Sequence, residues 1–248
     1  VATETPNGVV NCLIDAGRKS EGETVVAHLS RHYKKQLTFA VLTHVDDDHI
    51  GGFRAVLDAG ILPKAVYVND PRVGFAAFTK TATAEMLKEA DVRQINASVA
   101  TSNTLLDEIK RLKVPIRHAF RDQVIRLSKH LAIGILSPTR DEFPKLVSRF
   151  NRRNRDKLVE GADQNRRACG PENEASVICA AVYNDGERRD RALFTGDACL
   201  RTLQAVASLP FDYVKAPHHG SRHCCDATLV QTWASKSDSF RGAFSFGE

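Results

Sequence analysis

The chain alternates short apolar runs with amphipathic stretches, and several of the runs end in the same kind of residue. Leu37-Thr38-Phe39-Ala40-Val41-Leu42 is unbroken and β-rich, which predicts a buried strand. Further strands are expected at Ala65 to Val68, Val124 to Leu127, His130 to Leu136, Val177 to Val182 and Arg241 to Phe246. Strand-like runs also enter Gly196 and Pro217. Between them, Phe53, Val56 and Leu57 fall at i, i+3 and i+4, so Gly52 to Ala59 reads as an amphipathic helix stopped by Gly60. Helical patterning recurs over Gly74 to Ala90 and Thr101 to Leu112. Pattern alone therefore gives an α/β or α+β chain.

Three of the strand ends carry chemistry. The first is Thr43-His44-Val45-Asp46-Asp47-Asp48-His49-Ile50-Gly51-Gly52, with two imidazoles and three carboxylates in six positions. Carboxylates crowded together repel, and one would ordinarily take up a proton. A divalent cation turns that repulsion into attraction. The competing reading is an acidic turn in which Asp47 or Asp48 caps the helix near Ile50. A cap needs one carboxylate, not three flanked by histidines. The second end is Thr195-Gly196-Asp197, and the third is Pro217-His218-His219-Gly220-Ser221. Neutral imidazole is a good ligand for first-row metals. A lone pair of histidines is usually surface decoration, but three strand ends of this kind are better explained by one shared metal centre.

These three elements resemble the metal motifs of the metallo-β-lactamase-fold hydrolases. The resemblance spans roughly residues 11 to 221 and is greatest to the extracytoplasmic hydrolase domain of the ComEC-type competence proteins and its free-standing relatives. That branch has an Asp where Asp46 stands. Weaker echoes are Leu13-Ile14-Asp15-Ala16-Gly17, Leu136-Ser137-Pro138 and Asn173-Glu174-Ala175-Ser176. The resemblance implies a four-layer αββα sandwich over residues 1–248 as one domain. Relatives open with a hydrophobic strand and a hairpin, for which the chain starting at Val1 leaves little room. No histidine follows His223 where many relatives carry one, and the family's middle-motif histidine has no clear match. His118 and His130 sit in ordinary strand-edge surroundings and read as structural. The ends read as trimmed, so a further ligand or a neighbouring domain is expected outside the numbered residues.

At 248 residues and 42% hydrophobic, the chain has enough apolar content for one large core. No apolar run approaches the roughly 20 residues needed to span a bilayer. The net charge of +5 is compatible with anionic substrates. The six cysteines show no framework spacing, which favours a reducing, cytoplasmic setting of bacterial type and leaves an extracytoplasmic one open. Cys12 and Cys179 read as small core residues, and Cys224-Cys225 as a plain loop. Residues 151–171 read as a mobile basic insertion. Its Arg152, Arg153, Arg155, Arg166 and Arg167 would contact phosphates, or else be a solvated surface balanced by Asp156, Glu160 and Asp163.

The resulting ligand set is His44, Asp46, Asp48, His49, Asp197, and His218 or His219. His44 and Asp46 alternate at the strand end and would face one ion, while Asp48 and His49 would face a second. The resemblance makes Asp197 the bridge, with Asp48 and Asp197 central to catalysis. Thr195 and Ser221 would orient ligands from behind. Two ions held this way activate a hydroxide for hydrolysis. The carboxylate-rich set suits manganese or magnesium as well as zinc. The favoured substrate is a phosphodiester in nucleic acid, DNA first. A small ester, lactone or thioester is the alternative for an enzyme. A non-catalytic module binding nucleic acid or protein is the alternative from another class.

Overall fold

Apolar residues alternate between two cores along each central strand, and that alternation builds the layers. The computed structural model describes residues 1–6, 8–70, 104–150 and 170–243. One sheet holds β1 (Ala2–Thr5), β2 (Gly8–Ile14), β3 (Phe39–Leu42), β4 (Ala65–Val68) and β5 (Ile116–Arg117), in that order. β1 and β2 are antiparallel and the remaining pairs are parallel. The other sheet contains β6 (Val124–Arg126), β7 (Leu131–Ser137), β8 (Ile178–Asn184), β9 (Arg189–Phe194), β10 (Tyr213–Lys215) and β11 (Arg241–Ala243). Its order is β11-β10-β9-β8-β7-β6. It is antiparallel from β6 to β9 and parallel from β9 to β11.

Cys12, Val41, Ala65 and Tyr67 meet Ile133, Ile135, Cys179 and Ala181 between the sheets. Their neighbours Ala40, Leu42, Val66 and Val68 point the other way. They pack under Leu29 of α1 (Gly22–Tyr33) and Phe53, Val56 and Leu57 of α3 (Phe53–Asp58). On the far side Ile178, Ala180, Leu193 and Val214 pack against Leu203, Leu229 and Trp233. The result is a mixed α/β sandwich of two sheets with helices outside both. Strands buried on both faces read as unbroken apolar runs, which is why β3 and β4 were visible in the sequence.

Some expectations need correcting. The opening does hold a hairpin: β1 and β2 pair through a short turn in which Gly8 has φ 106°. Helix α1 was not anticipated, because its polar residues dominate and only Leu29 among its apolar ones is fully buried. Cys199 is disulfide-bonded, so the cysteines are not all free thiols; its partner lies outside the described residues. Cys12, Cys179, Cys224 and Cys225 are free. The helix expected over 74–90, the basic insertion with its five arginines, and the end of the last strand also lie outside the described residues. Among the described residues no helix is long and apolar enough to cross a membrane.

Candidate metal centre

The polar residues of the three motifs converge where β3, β9 and β10 end. β3 stops at Leu42, and the short helix α2 (Asp47–Ile50) begins with Asp46 at its N-cap position. No side chain caps it. The capping alternative therefore fails: Asp48 instead turns its Oδ2 to within 2.9 Å of His219 Nε2. β9 runs into Gly196, whose φ of 52° favours glycine. A Cβ there would also stand 2.7 Å from Thr43 Oγ1. Gly196 thus lets the loop carrying Asp197 press against the strand end carrying His44. After β10, His218 and His219 are both left-handed, with φ 48° and 56°. Non-glycine residues pay for this conformation, so the fold must hold it in place.

Asp197 lies at the middle with its two oxygens facing different groups. Its Oδ1 is 3.0 Å from His49 Nε2, and Asp48 Oδ2 is 4.0 Å from the same nitrogen. Asp48, His49, Asp197 and His219 offer ligand atoms all within 4.8 Å of one another. The other oxygen, Oδ2, is 3.8 Å from His44 Nε2 and 3.7 Å from His218 Nε2. Asp46 Oδ2 is 3.8 Å from His44 Nε2. Donors about 2.0–2.2 Å from one tetrahedral ion stand roughly 3.4 Å apart, close to these separations. His44 Nε2 is buried with no hydrogen-bond partner, and His49 Nε2 and Asp197 Oδ1 are buried against each other at 3.0 Å. Buried polar atoms rarely stay unpaired, so the residues fit a divalent cation. Both histidines of the third motif face the cluster.

Sequence reasoning gave Asp15 no role, yet it holds the arrangement from behind. It has φ 56° at the end of β2, and its Oδ2 accepts from His49 Nδ1 at 2.8 Å. The same carboxylate accepts from the Thr43 backbone N–H at 2.7 Å and the Thr43 hydroxyl at 2.8 Å. That hydroxyl lies 3.2 Å from His44 Nδ1. One carboxylate thus fixes both imidazoles by their Nδ1 edges, leaving Nε2 of each turned towards Asp197. Cys224 Sγ lies 3.4 Å from His218 Nδ1 and does the same there, so its loop is more than a connection. Thr195 donates to the Lys215 carbonyl at 2.8 Å, tying β9 to β10 rather than touching a donor. Ser221 is placed at the end of the His218-His219 turn, where its N–H donates to the His218 carbonyl. His118 and His130 stand apart, on Asn69 and on the Asn184 carbonyl.

The charges are strongly coupled. Burial alone would raise the Asp197 carboxyl, but His49, His44 and His218 outweigh it and hold the group below the usual carboxylate range. Burial would lower His49, yet Asp15 and Asp197 raise it to about 10. Burial, helped by His49, keeps His44 below its ordinary value. Burial pushes the Cys224 thiol up to about 11, so it meets His218 as a neutral group.

The metallo-beta-lactamase superfamily model matches residues 4–135, just over half of the 248 residues. The chain belongs to the metallo-β-lactamase superfamily. Members of this superfamily have the fold of metal-dependent hydrolases, which agrees with the donor cluster here. Among solved structures the chain is similar to MEM-A1, a subclass B3 metallo-β-lactamase from a soil metagenome library. That match has 10% identity and TM-score 0.48, covering 96% of this chain and 86% of the other. MIM-1 from Novosphingobium pentaromativorans matches at 13% identity and TM-score 0.47, covering 97% and 75%. BJP-1 of Bradyrhizobium japonicum matches at 11% identity and TM-score 0.46, covering 96% and 83%. Identities this low carry no information about substrate. No curated protein matches the chain.

Proposed function

We propose that this superfamily member is a two-metal phosphodiesterase acting on nucleic acid, DNA first, and that it belongs with the ComEC-type hydrolase domains. The observation that carries the reading is Asp197, whose two oxygens face two separate donor groups. His44, Asp46 and His218 would hold one ion, and Asp48, His49 and His219 the other, with Asp197 shared. Two divalent ions, when bound, make hydroxide available at neutral pH and offset the charge that gathers on oxygen during in-line displacement. Zinc and manganese both suit a set of imidazoles and carboxylates, and magnesium suits its oxygen-rich side.

The chain's own groups do the positioning. Asp15 keeps the His49 Nδ1 proton, and Thr43 keeps that of His44, so each Nε2 lone pair is presented. His44, His49 and Asp197 form a buried floor, while Asp46, Asp48, His218 and His219 are partly open to solvent. A floor with an open rim suits a chain-like substrate lying across it.

A carbonyl substrate such as a small ester, lactone or thioester is the second reading. It is favoured by membership of a superfamily named for hydrolysing a cyclic amide. One experiment separates the two. Protein loaded with manganese or zinc is incubated with labelled single- and double-stranded DNA, with a phosphodiester and with an aryl ester. Metal-dependent DNA cleavage that Asp197→Asn reduces at least ~100-fold is expected, since the shared carboxylate serves both ions. Cleavage of the ester alone would end the phosphodiester reading. Salt-sensitive DNA binding without any turnover would favour a binding module.

A further inference from the structure

A second feature lies on the segment that follows β5. Asn69, fully buried just past β4, donates from Nδ2 to the Ala119 carbonyl at 2.5 Å and accepts the Ala119 N–H at 3.1 Å. Its Oδ1 is also 3.3 Å from His118 Nδ1. Arg121 N–H donates to the Pro138 carbonyl at 2.8 Å, tying the segment after β5 to the end of β7. Ser137 at that end pairs with Ile178, and the neighbouring Val177 N–H donates to the Thr43 carbonyl at 2.7 Å. Residues 118–121 are therefore stitched, strand end by strand end, to the residue preceding His44.

On this segment the His118 ring stacks on Phe120, with centroids 5.4 Å apart and planes 21° from parallel. The Arg140 guanidinium stands 4.9 Å over the same Phe120 ring. Phe120 and Phe143, with Leu146 and Ala175, form a buried base beneath them. His118 and Arg140 themselves are exposed. Arg140 forms no ion pair with a carboxylate among the described residues. Of the nearby acids, Glu142 is engaged by the Thr139 N–H and hydroxyl, at 3.1 and 2.7 Å. Asp122 and Asp141 are exposed. A histidine on a phenylalanine can simply cover an apolar edge. Covering does not call for a guanidinium on the same ring as well. Two exposed planar groups, one cationic, are what a stacking site for a nucleotide needs.

We propose that the His118–Phe120–Arg140 stack is a nucleotide seat, where a base lies on the open face of His118 and an adjacent phosphate meets Arg140. This rests on the phosphodiesterase reading and makes His118 and Arg140 specificity-determining residues. Two esters with the same leaving group test it: thymidine 5′-(4-nitrophenyl phosphate) and methyl 4-nitrophenyl phosphate. With manganese-loaded protein, His118→Ala should raise KM for the thymidine ester about tenfold, leaving kcat and the methyl ester unchanged, and Arg140→Ala should do so for the thymidine ester that carries a 3′-phosphate as well. His118→Phe keeps a stacking face and should restore most of the KM. Equal losses of His118→Ala on both esters, or no loss on either, would overturn the seat, as would an unchanged KM of Arg140→Ala for the ester with the 3′-phosphate. If the wild type cleaves neither ester, the phosphodiesterase reading has failed and the seat is judged by binding. Anisotropy of labelled oligothymidylate on the same protein should then weaken about tenfold in His118→Ala, and unchanged or absent binding would overturn it.

Discussion

At the scale of single residues, the centre depends on where protons sit. Asp15 never approaches the cluster's middle, yet it receives His49 directly and His44 by way of the Thr43 hydroxyl. Asp15→Asn retains size but can present an N–H₂ to His49. It is expected to weaken metal affinity about 10- to 100-fold, measured by competition with a chromophoric chelator. Unaltered affinity would mean that Asp15 serves the fold only. The donors were legible in the sequence because each sits in a short run of its own kind. Asp15, Thr43 and Cys224 were not, because their roles depend on partners such as Asp15 and Thr43, 28 positions apart.

At the scale of elements, legibility followed burial. β4 was read to the residue, since both of its faces are buried and its ends meet Lys64 and Asn69. β3 begins two residues later than its apolar run, because the Thr38 carbonyl and hydroxyl engage Lys64 and Asn11. α1 stayed hidden because a mostly solvated helix has little apolar pattern to display. The turn after β9 makes a sharper test. Gly196→Ala must hold a left-handed φ and push a methyl group into Thr43. A loss of at least about 1–2 kcal/mol of stability is expected in urea unfolding, together with weaker metal uptake. Full stability in that variant would show that the loop can draw back from Thr43.

At the scale of the whole molecule, ion binding, protonation and folding are linked. Without an ion, His49 is raised from 6.5 to about 10 by two carboxylates, so its folded value lies above its unfolded one. Its contribution to stability is full below about pH 6.5 and is lost as the pH rises through about 10. A cation on Nε2 must displace that proton. Zinc titrations at pH 7.5 in two buffers of different ionisation enthalpy should therefore show release of about one proton per protein from this residue. Strictly buffer-independent heats would contradict the assignment of His49.

The donors and their supports begin at Asp15 and finish at Cys224. A ribosome-bound chain therefore cannot complete its centre until the segment through Cys224 has emerged. Cation uptake by nascent chains of increasing length would then mark when the span from Asp15 to Cys224 has assembled.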